Sequence, residues 1–141
     1  MAHVMARLQL FLAALWWGSL TVLGGMVVPL LFATLETPAQ AGQMGARLFS
    51  AECWLGVVCG LLMLLAARRQ DQSFDRVRAP SLWVLGGILS ALLLEFAVAP
   101  HIVARENLML WHNLGTALYV VQWGVLGRWL WTVPLHPDQS T

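Results

Sequence analysis

From Leu8 to Leu35 the chain carries no ionisable side chain. At a rise of about 1.5 Å per residue, a helix of that length crosses a hydrocarbon core of about 30 Å with room to tilt. Helical conformation is required there because lipid offers the backbone no hydrogen-bond partners, so the segment must satisfy its own N–H and C=O groups. A cleaved signal sequence would have an apolar core of only about 7–15 residues. The run is longer than that and is expected to stay attached as a membrane span. The rest of the chain agrees. Over 141 residues, 59% are hydrophobic and 11% charged, with a mean hydropathy of +0.70, too apolar for a soluble domain of this size. The expectation is one all-α integral membrane domain over residues 1–141.

Four spans can be read along it, at about 8–35, 48–67, 81–104 and 108–130. Thr37-Pro38-Ala39-Gln40 has the form of a helix start, with Thr37 as cap and Pro38 at the first helical position, so the second helix begins before its span does. The polar stretch from Arg68 to Pro80 reads as a solvated loop, and residues 132–141, with two prolines, read as a disordered tail. Arginine sets the orientation. Arg7, Arg68, Arg69, Arg76, Arg78 and Arg128 lie on one side and only Arg47 and Arg105 on the other, which places the N-terminus and the C-terminus in the cytoplasm. Trp54 and Trp111 then fall at the outer interface and Trp83, Trp129 and Trp131 at the inner one. Trp16, Trp17 and Trp123 fall mid-span, where they are expected to pack against other helices. "VVPLLFATLE" and "VAPHIVARE" close the first and third spans in similar fashion, a faint sign of an internal repeat.

Membrane helices approach one another through small residues, so small residues mark the inward faces. Gly45, Glu52, Gly56 and Cys59 share one face of the second span, and Gly87, Ala91 and Glu95 share one face of the third. Both carboxylates therefore point into the bundle. His112, Thr116, Tyr119 and Gln122 form a stripe on the fourth. Counted from the outer ends, Glu52 and His112 lie about 6 Å deep and Glu95 about 12–15 Å deep, so the three can meet in the outer half. Two readings follow. In one, Glu52 with Arg47, and Glu95 with Arg105 or His112, clasp the helices together. In the other, Glu52, Glu95 and His112 bind a proton or a small cation, the donor set suiting Zn²⁺, Mn²⁺ or Fe²⁺. A haem ligated by His112 with His101 or His3 is a further alternative.

The remaining motifs narrow the function by exclusion. No phosphate-binding Gly-rich loop, nucleophile elbow, HExxH or Cys-x-x-Cys occurs. Cys53 and Cys59 sit about 120° apart on one helix and read as small core residues. A net charge of +1 gives no basic patch for nucleic acid. The expected partners are the lipid bilayer and a second copy or another membrane protein; any cofactor stays unknown.

Several short elements in order, "ALWWGSLTVLGGMVVPLLFATL", "AGQMGARLFSAE", "VAPHIVARE" and "LWHNLGTALYVVQWGVLG", resemble the bacterial domain-of-unknown-function family related to eukaryotic transmembrane protein 205. The residues that carry the likeness are Trp17, Gly18, Pro29, Phe32, Ala41, Gly42, Leu48, Phe49, Pro100, Arg105 and His112. The short connection "ENLML" before His112 departs from the family pattern. The resemblance implies a four-helix integral membrane protein with no established enzymatic activity. The expected role is that of a non-enzymatic protein of the bacterial inner membrane in transport, in tolerance or as a partner subunit, with a haem- or metal-binding redox protein using His112 as the alternative.

Overall fold

A computed structural model describes residues 2–70 and 74–132. Helix α1 (Ala2–Val22) passes through a π turn at Leu23–Val27 into α2 (Val28–Thr34); α3 spans Pro38–Gln70. Helix α4 (Phe74–Leu93) passes through a second π turn at Leu94–Val98 into α5 (Ala99–Val103), and α6 spans Leu108–Thr132. Each π turn is followed at once by a proline, Pro29 or Pro100, in the second position of the next helix. Proline has no N–H, and its ring collides with the carbonyl four residues back. Widening the preceding turn relieves that collision. The Val28 amide then reaches back five residues to the Leu23 carbonyl, and the Ala99 amide reaches the Leu94 carbonyl in the same way.

The elements make four antiparallel rods in a closed ring. Gln9 donates to the Met63 carbonyl at 3.0 Å while Ser19 bonds Glu52, so partners on α3 descend as α1 ascends. Cys53 Sγ donates to the Ala91 carbonyl between α3 and α4. Gly115 of α6 lies against Val98 and Ile102 on one side, and Gly127 lies under Trp17 of α1 on another. The start of α3 follows the sequence expectation: the Gln40 amide donates to Thr37 Oγ1 and the Ala41 amide to the Thr37 carbonyl.

Small residues line much of the helix interfaces around a few large buried ones, Trp16, Leu20, Met63 and Leu126 among them, while many large apolar side chains face outward. Ala13, Cys53, Gly56, Cys59, Gly60, Gly87 and Ala91 are buried, whereas Phe11, Met26, Phe32, Val58, Leu65, Leu82, Leu89 and Phe96 face outward. Such a distribution suits helices that pack by close approach within lipid. At its centre is Trp16, 0% exposed. Its indole lies on Gly56 and Gly60 of α3 and on Gly87 of α4: a methyl group at Gly56 would collide with it, one at Gly60 would collide with Ile88, and one at Gly87 would press tightly on the ring. The expectation that mid-span tryptophans serve packing holds for this residue and for Trp17, which stacks on Trp123 with centroids 5.4 Å apart.

Three segments, His3–Thr34, Pro38–Arg69 and Ser81–Val103, are long and apolar enough to cross a membrane. The fourth helix, at 25 residues, has the length but is diluted by His112, Asn113, Gln122 and Arg128. One boundary needs correction. The stretch Arg68–Pro80 is helical up to Gln70 and again from Phe74, because arginine and glutamine are good helix formers and polarity marks solvent rather than coil. Residues 71–73 lie outside the described residues, as does the expected disordered tail beyond Thr132, itself the last residue of α6.

Candidate functional site

Two side-chain pairs, Ser19 with Glu52 and Ser50 with Glu95, lie in the part of the bundle toward the Leu35–Thr37 and Ala104–Asn107 connections. Both carboxylates expected to face inward do so: Glu52 is buried and Glu95 half-buried, alongside buried Gly45, Gly56, Cys59, Gly87 and Ala91. Their partners are serines, not arginines. Ser19 Oγ of α1 lies 2.8 Å from Glu52 Oε1, and Ser50 Oγ of α3 lies 2.6 Å from Glu95 Oε1. Two Ser–Glu bonds thus join α1 to α3 and α3 to the second π turn, and α3 contributes one acid and one hydroxyl.

Ser19 has a further property. Its Oγ is also 2.8 Å from the carbonyl of Trp16. A hydroxyl has one proton to donate and two lone pairs to accept with. When Glu52 is ionised, Ser19 donates to it. When Glu52 is protonated, the acid can donate to Ser19, which then turns its own proton to the Trp16 carbonyl. Both protonation states are therefore hydrogen-bonded without any side chain moving.

Neither acid has an ionic partner among the described residues, whose single ion pair is His101 Nδ1 with Glu106 Oε2 at 2.7 Å. Arg105 is exposed in the turn before α6 with φ 58°. Arg47 is exposed on α3, where it lines an open cleft of about 570 Å³ together with Glu36, Gln40 and Gln43. An arginine clasp is expected from the sequence; the structure has a serine clasp instead. The physical reason is reach. A hydroxyl on the facing helix needs no long side chain to be ordered, while an arginine near a helix end gains more from water.

His112 is exposed near the start of α6. The buried face of that helix is Gly115, Gln122, Leu126 and Trp129, so the expected stripe is half right: Gln122 is buried and Tyr119 half-buried, whereas His112 and Thr116 point out. Gly115, by admitting Val98 and Ile102, fixes that rotation. Among the described residues no group of three His, Cys, Asp or Glu side chains is placed to hold a metal; Glu52, Glu95 and His112 do not form one ligand set. Of the two histidines considered with His112 for haem, His101 is engaged with Glu106 and stacked on Trp111 with centroids 4.0 Å apart and planes 9° from parallel, and His3 is exposed near the start of α1. Cys53 and Cys59 are free and buried.

Three buried donors, Trp16 Nε1, Trp17 Nε1 and Gln122 Nε2, have no hydrogen-bond partner among the described residues. Each is held by packing: Trp16 by its glycines, Trp17 by Gly127, and Gln122 by a site that leaves it 2% exposed. Ser19 and Ser50 are the participants that sequence reasoning missed. The available signal was their position, since each is a hydroxyl within an apolar segment and Ser50 stands two residues from Glu52.

The family described as a domain of unknown function, DUF4149, matches residues 11–109, from the third turn of α1 to the start of α6. The match covers more than half of the chain, which therefore belongs to that family. No curated protein matches it, and no solved structure does.

Proposed function

We propose that this DUF4149 protein is a non-enzymatic four-span protein of the bacterial inner membrane, in which Glu52 and Glu95 couple the helices and act as exchangeable proton sites. Its termini lie in the cytoplasm, its role belongs to transport, tolerance or a partner-subunit assembly, and its kinship extends to the transmembrane protein 205 group. The crossing of α6 is part of this reading. It is supported by the outward-facing Leu110, Leu114, Val120, Val121 and Trp131, which would be costly to leave in water.

The observation that carries the proposal is the pair of Ser–Glu bonds without a cation. A carboxylate within a membrane costs several kcal/mol unless paired, wetted or protonated. Serine removes the need for a fixed counter-ion and leaves each acid free to gain or lose its proton in place.

Infrared difference spectra of the protein in lipid nanodiscs, titrated with acid and base, test this directly. A carboxylic-acid C=O band that appears with acid and is diminished in Glu52→Gln and in Glu95→Gln is expected. If the titrating band is the same in wild type and in both variants, neither acid exchanges a proton and the proposal fails.

A further inference from the structure

The two π turns are related beyond their shape. Pro29 and Pro100 stand 71 residues apart, and the same interval carries Leu23 onto Leu94, Val27 onto Val98, Ser19 onto Ser90 and Ala33 onto Ala104. The turns themselves, Leu23–Val27 and Leu94–Val98, obey the same interval. So do the places at which a neighbouring helix grips them. Tyr119 Oη of α6 donates to the Leu20 carbonyl at 2.6 Å, and Cys53 Sγ of α3 donates to the Ala91 carbonyl at 3.3 Å. Leu20 and Ala91 each lie three residues before the start of a π turn. Each rod thus has a proline-widened turn, with a side chain of an antiparallel neighbour bonded to the backbone carbonyl three residues before it.

A π turn replaces part of the i to i−4 ladder with longer-range bonds, and such turns are rare, short and frequent at functional positions. Beyond each turn only a short segment remains, α2 with 7 residues and α5 with 5. None of the residues of α2 or α5 is buried. Below each turn lies the tight centre around Trp16. The ladder is therefore weakest where the buried packing also thins out, and at that level Tyr119 and Cys53 are the neighbours that bond the backbone of each rod, the other ties being made to side chains, Trp123 to Thr21 and Ser50 to Glu95. The first turn also has a steric element: a Cβ at Gly24 would come within 2.9 Å of the Tyr119 ring, so glycine is what lets that ring sit against the turn.

We propose that the two π turns are a matched pair of hinges, latched by Tyr119 on the Leu20 carbonyl and by Cys53 on the Ala91 carbonyl, about which α2 and α5 swing on a fixed lower bundle. The device needs no particular protonation state of Glu52 or Glu95, although Glu95 rides on the second hinge and would move with it. The shared 71-residue interval places the two hinges at corresponding positions of their rods.

Amide hydrogen exchange on the full chain in nanodiscs tests the device, because local opening free energies differ along a helix and exchange reads them residue by residue. Segments 23–29 and 94–100 are expected to exchange at least about tenfold faster than the helix directly below each. Tyr119→Phe should accelerate exchange at 23–29 by a further severalfold and leave 94–100 unchanged; Cys53→Ala should do the converse. Pro29→Ala, which restores a donor to the ladder, should slow exchange at 23–29. Turns as protected as their flanks, latch variants that accelerate both turns or the whole bundle alike, or no slowing in Pro29→Ala would each overturn the proposal. The Ser–Glu proton reading is judged by its infrared titration, and neither outcome there bears on the hinges.

Discussion

The indole nitrogen of Trp16 points at the backbone of Gly56, with no space for a side-chain atom between them. One ring on α1 therefore sets how closely α3 can approach. Gly56→Ala forces the ring or the backbone aside, and overpacking of this kind costs about 1–3 kcal/mol. Thermal unfolding in detergent should show a loss of that order. Gly86→Ala, on a glycine with open space around it, is the control and should be close to neutral.

A second prediction concerns the serine clasp. Interhelical hydrogen bonds in membrane proteins contribute about 0.6 kcal/mol on average and up to about 1.7 kcal/mol. A double-mutant cycle on Ser19→Ala and Glu52→Leu should return a coupling within that range, since glutamine would keep an acceptor for the serine. The same cycle on Ser50→Ala and Glu95→Leu should do likewise. Pairing Ser19→Ala with Glu95→Leu should give a coupling near zero, since Ser19 bonds the other acid. A Ser19–Glu95 coupling as large as the Ser19–Glu52 one would show that the two bonds are not separate.

Arg105 has φ 58° and Asn107 has φ 37° in the turn between α5 and α6. Asparagine tolerates the left-handed region; arginine is held there at a cost of about 1 kcal/mol. Arg105→Gly should raise stability by up to about 1 kcal/mol, offset in part by the greater freedom glycine gives the unfolded chain. A fall in the melting temperature would mean that the arginine side chain stabilises the turn in another way.

Cys53 and Cys59 are both buried and free. Thiol modification requires an accessible thiolate, so a maleimide should label neither in the folded protein and both after unfolding in detergent with denaturant. Labelling of Cys53 in Tyr119→Phe at the wild-type rate, with faster labelling in Gly56→Ala, would tie its protection to the Trp16 centre.

Much of the architecture could be read from residue type and spacing. Gly56, Cys59 and Gly60 mark a face of close approach, but which of the mid-span tryptophans Trp16, Trp17 and Trp123 fills it was not legible, since residue type and depth are the same for all three. Thr37-Pro38 placed the start of α3. The failures have physical causes. Pro29 and Pro100 announce a disturbance of the helix but do not say whether it becomes a kink, a break or a widened turn; that depends on whether neighbours can hold the turn, and Tyr119 and Cys53 belong to other helices. The Ser–Glu bonds lack a periodic signature, because one hydroxyl in an apolar run looks the same whether it bonds its own helix, as Ser90 does to the Gly86 carbonyl, or a neighbour. The rotation of α6 turned on Gly115, whose value lies in the Val98 and Ile102 side chains it admits.

Under the 71-residue interval that matches the two proline turns, Trp16 corresponds to Gly87, and these two residues touch. They are knob and socket for each other. Two identical copies of the first hairpin could not build this centre, because two indoles would contend for one space; two copies of the second would leave that space empty. The fit exists only between unlike halves. If the chain descends from a hairpin that once paired with itself, the exchange of one tryptophan for one glycine is the step after which the halves could no longer be separated.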